Sequence, residues 1–152
     1  MQKTIETQII INAGKEKVWA ILTDFDNYKN WNPFIINSSG QAIAGGKLIN
    51  TMKNGNSRFI FKPTVLNVEK LKYLDWLGSL FVKGIFDGHH YFKIEELNPG
   101  QVRFTQGENF TGILSGVILK FTGSETRNGF IRMNQALKQL AESTATSQSC
   151  VC

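Results

Sequence analysis

The chain has 152 residues, 41% of them hydrophobic, a length that suits one domain built around one core rather than two. A chain this long folds without disulfides or a structural metal, and its two cysteines, Cys150 and Cys152, sit together at the C-terminus where they cannot staple a core. The 17 basic and 12 acidic residues give a net charge of +5 with no two basic residues adjacent, which excludes a basic nucleic-acid-binding arm, and no apolar run approaches the roughly 18 residues of a membrane span.

Ile5, Thr7, Ile9 and Ile11 alternate with Thr4, Glu6, Gln8 and Ile10, the period of a strand with one buried face. Ala13-Gly14 breaks that strand. From Lys15 to Thr23, Val18, Trp19, Ile21 and Leu22 recur at spacings of three and four, which predicts a short amphipathic helix. Asp24-Phe25-Asp26-Asn27 can cap a second short helix through Trp31, and Asn32-Pro33 ends it, because proline pushes the preceding residue out of helical geometry. Between Phe34 and Phe110, turn signals at Ser38-Ser39-Gly40, Gly45-Gly46, Asn54-Gly55-Asn56 and Asn98-Pro99-Gly100 divide the chain into antiparallel strands. These are predicted at about 35–42, 46–53, 57–70, 72–79, 86–97 and 101–111. Beyond Gly112 the period changes: Phe130, Met133, Leu137, Leu140 and Ala141 recur at helical spacing while Arg132, Lys138 and Glu142 fall off the stripe. A long C-terminal helix follows, its start left open by Gly116, Gly123 and Gly129. Residues 143–152 lack periodicity and are predicted to form a disordered tail behind a single domain spanning 1–142.

The element order predicts an α+β fold, a curved antiparallel sheet of about seven strands wrapped around one long helix, with two short helices after the first strand. The sequence resembles the START-like, helix-grip superfamily (SRPBCC), and within it the polyketide cyclase/dehydrase-like group. The resemblance rests on the run from Val18 to Phe25 with Tyr28, on Trp31-Asn32-Pro33-Phe34, Gly46-Lys47-Leu48 and Trp76 with Gly78. It continues through Phe86-Asp87-Gly88-His89-His90-Tyr91-Phe92, Glu108-Asn109-Phe110-Thr111-Gly112 and Met133-Asn134-Gln135-Ala136-Leu137-Lys138, and covers residues 3 to 142. It implies a cavity between sheet and helix that holds hydrophobic small molecules, and some members of the superfamily cyclise polyketides.

Other chemistries fail on residue count or spacing. His89 and His90 are the only histidines, and a strand points neighbours to opposite faces, so no metal site is expected. Ser115 lies in Gly112-Ile113-Leu114-Ser115-Gly116, which is not a nucleophile elbow. Gly40 to Lys47 fails as a phosphate loop because Leu48 stands where Ser or Thr is required, and no dinucleotide fingerprint exists. No cofactor is expected. The terminal Cys150-Val151-Cys152 is not a prenylation box, since Ser149 occupies its cysteine position.

One polar constellation remains. His90, Phe92 and Ile94 share one strand face, as do Val102, Phe104, Gln106, Glu108 and Phe110 on the next strand. A turn at Asn98-Pro99-Gly100 would set His90 opposite Glu108 inside the cavity, while a two-residue slip would set it opposite Gln106. The pair reads either as a general acid/base or ligand anchor, or as a polar pair that satisfies itself. Trp31, Phe61, Trp76, Phe92, Phe104, Gln106, Phe110, Met133 and Leu137 are the candidate ligand-lining residues. Trp19, Phe25, Tyr28, Phe34, Phe59 and Phe130 complete the wider aromatic set, most of which is expected to be ordinary core. Phe81, Val82 and Ile85, in the apolar segment from Leu80 to Phe86 where a polar turn is expected, read as a gate over the cavity or an oligomer contact.

The favoured function is binding of a hydrophobic or amphipathic small molecule. The alternatives are a cyclase, aromatase or dehydratase of lyase type using His90 and Glu108, and a protein-interaction domain with a filled pocket. The N-terminus shows no secretion signal and the body no cysteine, so a cytoplasmic location is expected. Its expected partner is a small hydrophobic ligand rather than nucleic acid, with oligomeric state open.

Overall fold

Alternation at the N-terminus builds β1, Lys3–Ile11, which buries Ile5, Thr7 and Ile11 and turns Lys3, Thr4, Glu6 and Gln8 to solvent. The computed structural model describes residues 2–143. The first helix, α1 (Lys15–Thr23), buries Val18, Trp19 and Leu22. The second short helix is a 3-10 segment, Phe25–Asn30, which buries Phe25 and Tyr28. Tyr28 ties it to α1 by donating its hydroxyl to the Leu22 carbonyl; burial first, and then the charge of Asp24, raise this phenol well above its ordinary pKa. Asn32 then redirects the chain. Its Oδ1 accepts from the amides of Phe34 and Ile35, both at 2.9 Å, a side-chain turn that leads past Pro33 into the sheet.

Among the described residues eight strands follow the antiparallel pattern, one more than the sequence predicts. β2 (Ile35–Ser39), β3 (Ile49–Asn54) and β4 (Ser57–Phe61) form one sheet. The second, ordered β1-β8-β7-β6-β5, comprises β1, β5 (Thr64–Glu69), β6 (Tyr73–Leu80), β7 (Phe86–Asn98) and β8 (Gln101–Thr111). The extra strand arises where the predicted strand 57–70 is cut at Lys62-Pro63. Proline has no amide to give a ladder, and there the chain crosses from one sheet to the other. The sheets stay joined at the crossing, because Leu48 donates to the Pro63 carbonyl at 3.0 Å and Val65 to the Gly46 carbonyl at 2.8 Å.

The β7–β8 hairpin places Ile94 opposite Phe104, Phe92 opposite Gln106 and His90 opposite Glu108. Gly100 supplies the positive φ, +82°, that the turn after Pro99 requires. Across this sheet lies α2, Ser115–Ser143, with Phe130, Met133, Asn134, Leu137 and Ala141 on its buried side. The helix thus runs through the glycine-rich stretch whose weak propensity leaves its start open in sequence. Packing explains one of those glycines: a Cβ on Gly129 would collide with the Phe34 ring, which itself stands edge-on to Phe130 at 5.3 Å. Ser143, predicted to begin the tail, is the last residue of α2; the rest of the predicted tail, 144–152, lies outside the described residues.

Gly129→Ala therefore sets propensity against packing. Alanine favours a helix by about 1 kcal/mol, yet overpacking against Phe34 should outweigh it and leave the variant about 1–3 kcal/mol less stable in urea unfolding. An unchanged or raised midpoint would contradict the close approach.

Candidate functional site

The two sheets and the first half of α2 diverge at one end of the molecule and leave a cavity of about 120 Å³. Its wall is mostly apolar: Phe34, Met52, Phe59 and Phe61 from the β2–β4 side, Leu80, Phe86 and Phe110 from the large sheet, and Ile118 from α2. Asn54, Thr122, Thr126 and Glu108 supply its polar side chains, and Gly88 completes the wall. Phe86 and Phe110 stack at 5.4 Å with their planes 18° apart. The volume is on the scale of the ~150 Å³ apolar cavity that takes benzene in an engineered protein, so it suits a single ring or a short branched chain.

Glu108 is the one ionisable group on this wall, and it is only 8% exposed. Gly88 makes room for it, since a Cβ there would collide with Oε1. Behind the carboxylate runs a buried chain of hydrogen bonds. His90 Nδ1 lies 3.3 Å from Glu108 Oε2, and His90 Nε2 lies 3.0 Å from Gln106 Oε1. Gln106 Nε2 donates to Asn134 Oδ1 at 2.7 Å, and Asn134 Nδ2 to Thr7 Oγ1 at 2.9 Å. The imidazole is clamped between rings, stacked on Trp76 at 5.3 Å and edge-on to Phe130 at 5.0 Å. With both ring nitrogens facing oxygens, His90 donates from both only as an imidazolium. The neutral ring fits once Gln106 and Asn134 turn their amides over and Thr7 donates to Asn134. The chain therefore has two self-consistent directions that differ by one proton.

Of the residues singled out in the sequence, Glu108, Phe34, Phe59, Phe61 and Phe110 line the cavity. His90 and Gln106 stand directly behind Glu108 rather than on the wall. Trp76, Phe92, Phe104, Met133 and Leu137 are almost completely buried in the core, where sheet and α2 close on each other. Trp31 packs edge-on to Tyr28 at 5.2 Å, away from the cavity. In the gate segment, Leu80 and Phe86 at its ends reach the wall, while Phe81 and Val82 point outward, 75% and 65% exposed, and Ile85 is half-buried off the wall. Sequence reasoning missed Met52, Asn54, Gly88, Ile118, Thr122 and Thr126 on the wall and Thr7 and Asn134 in the chain. Asn134 left a trace, a polar residue inside the apolar stripe of α2.

His89 faces the other side of the sheet, where its Nε2 pairs with the buried Asp75 at 2.7 Å. Asn67 donates to the same carboxylate through its backbone amide at 2.8 Å, and Tyr73 through its hydroxyl at 2.9 Å. Desolvation and the bond to Asp75 raise the Tyr73 phenol above its ordinary pKa. None of these residues lines the cavity described above, and the network reads as sheet support. Among the described residues no group of three or more His, Cys, Asp or Glu is placed to hold a metal ion, and no helix is long and apolar enough to cross a membrane.

The fold, antiparallel sheets gripping a long C-terminal helix with a cavity between them, defines a helix-grip protein of the START type. The chain belongs to the polyketide cyclase / dehydrase and lipid transport family, whose pattern matches residues 2–144. Solved structures with this fold include the Zhui aromatase/cyclase from Streptomyces, 11% identical over 99% of this chain and 100% of that one, with a TM-score of 0.81. A START superfamily protein from Mycobacterium smegmatis is 17% identical over 93% and 98% of the two chains, TM-score 0.71. Norcoclaurine synthase from Thalictrum flavum is 10% identical over 96% and 98%, TM-score 0.74. Curated protein sequences give no match. Family and fold support a ligand-binding or cyclase-like role.

His90→Ala would strand the groups it now bonds, and should cost on the order of 1–3 kcal/mol in urea unfolding. Replacing both members, His90→Phe with Glu108→Leu, should recover part of that loss where the added volume fits. A double-mutant cycle with coupling near zero would contradict the pairing.

Proposed function

We propose that the protein binds a small apolar or amphipathic molecule in this cavity, with a ring-sized part among Phe34, Phe59, Phe61, Phe86 and Phe110 and a hydrogen-bond donor turned to Glu108. The observation that carries this reading is the wall itself, apolar except for a few polar side chains and a single carboxylate held from behind by a buried histidine. Apolar pockets with few convergent polar groups are the usual design of small-molecule sites. A ligand larger than one ring would project through the side where Asn54, Phe59, Leu80, Phe86, Ile118 and Thr122 are only half-buried.

A second reading, proton transfer in a cyclase or dehydratase, is favoured by the chain behind Glu108. As a base the carboxylate would take a proton from a carbon next to a carbonyl. As the acid it would return that proton to a departing hydroxyl, which leaves as water. The two directions of the His90–Gln106–Asn134–Thr7 chain would let the surroundings follow that proton. The aromatase/cyclase and the norcoclaurine synthase show that this fold carries enzymes.

Titration with an environment-sensitive apolar dye tests the binding reading. Dye fluorescence should rise on binding and fall when phenol competes. Thr122→Phe, which fills the cavity from α2, should weaken binding about ten-fold or more while the protein stays folded. No binding, or binding unchanged by Thr122→Phe, would overturn the site. Glu108→Gln keeps shape and hydrogen bonding but removes the base, so it should spare dye binding and abolish turnover of any substrate the protein converts.

A further inference from the structure

Beyond the cavity, the same end of the molecule carries an apolar surface that the fold does not use. Phe81 and Val82 project from the loop between β6 and β7, and Ile113, Val117 and Phe121 are 83%, 59% and 78% exposed. Spaced four apart, the last three form one outward stripe on the entry to α2 and its first turns. Loop and stripe are one surface, because Ile113 donates to the Gly84 carbonyl at 3.1 Å and Leu114 to the Ile85 carbonyl at 3.0 Å. Phe81 has a φ of 71°, a left-handed conformation that a bulky side chain adopts at a cost. Large apolar side chains gathered in this way mark a contact surface.

Charge identifies what it contacts. Residues 80–86 and 111–124 contain no Asp or Glu, and their only charged side chains are Lys83 and Lys120; the exposed Glu125, at the next step of the stripe, ends the apolar face. Asp87, the nearest carboxylate in sequence to the loop, is turned back to accept from the Gly84 amide at 2.9 Å. Beside the stripe, a groove between β1 and α2 is lined by Lys3, Lys120 and Arg127 and by the small residues Gly116, Gly123 and Ser124, with no carboxylate. A second copy would bring like-charged rims together, which opposes association. We infer that this face docks on an anionic lipid bilayer: the apolar side chains enter the interfacial layer, and Lys3, Lys120 and Arg127 meet headgroup phosphates. Leu80, Phe86 and Ile118 of the cavity wall belong to the same segments, so docking brings the cavity close to the membrane. The inference stands on the surface alone and holds whether or not the cavity takes a ligand.

Vesicle flotation with the full chain tests it, using phosphatidylcholine vesicles with and without phosphatidylserine. The protein should float with the phosphatidylserine vesicles, more weakly with pure phosphatidylcholine, and be released by salt. Phe81→Ser with Phe121→Ser should weaken partitioning about ten-fold or more, and Lys3→Gln with Lys120→Gln about five-fold per lysine. All four positions are exposed, so both variants should unfold at the wild-type urea midpoint and bind the apolar dye as before. Three results would overturn the inference: no flotation with phosphatidylserine vesicles, flotation indifferent to the substitutions, or concentration-dependent self-association that the serine variant abolishes while vesicles bind neither form.

Discussion

A carboxylate in an apolar wall is tolerated only if its charge finds partners, since an unsatisfied buried polar group costs about 1–3 kcal/mol and a charged one more. Glu108 meets that condition through His90, and His90 through Gln106, so one acid on the wall commits β7, β8, α2 and β1 to a single arrangement. Slipping β8 by two residues would oppose His90 to Gln106 instead, and a one-residue slip would turn the acid out of the cavity. Gly88 belongs to the same constraint, because a Cβ there would meet Glu108 Oε1 and push the carboxylate from its present position. The polar chain thereby fixes strand register as well as the chemistry of the wall.

The cavity lies at one end of the grip for a related reason. Met133, Leu137, Phe92 and Phe104 close the space between α2 and the sheet and are completely buried. Toward the start of α2 the helix presents Thr122, Ile118 and Thr126 instead, and the wall facing them belongs to the β2–β4 sheet. That sheet is separate because Pro63 interrupts the ladder, so the break in one predicted strand and the opening of the cavity are linked. Gly129 lets the helix pass close against Phe34, the residue that leads into β2.

Strand faces and the β7–β8 register are readable in the sequence because alternation and a turn fix them locally. Asn98-Pro99-Gly100 places the hairpin, and a bulge between Glu96 and Asn98 shifts the register by one residue so that the apolar faces match and His90 stands opposite Glu108. The split at Lys62-Pro63 left a signal in the proline, but the apolar pattern on either side reads as continuous. Which concave residues face a void was not readable. Phe92 and Phe104 share a strand face with Phe110 and Glu108, and only their distance from the diverging end separates packed core from cavity wall. The start of α2 was hidden because packing overrides the low helix propensity of its glycines. Phe81 and Val82 were visible as an anomaly, and their outward direction became evident only with the loop in place.

Carbon-13 methyl spectra of methionine test most directly where a ligand sits. Met52 lies on the cavity wall, and Met133 lies completely buried on α2, where helix and sheet close on each other. During titration with phenol, the account predicts that the Met52 methyl shifts to saturation while the Met133 methyl holds its position. A stationary Met52, or a Met133 that moves in step with it, would contradict the account.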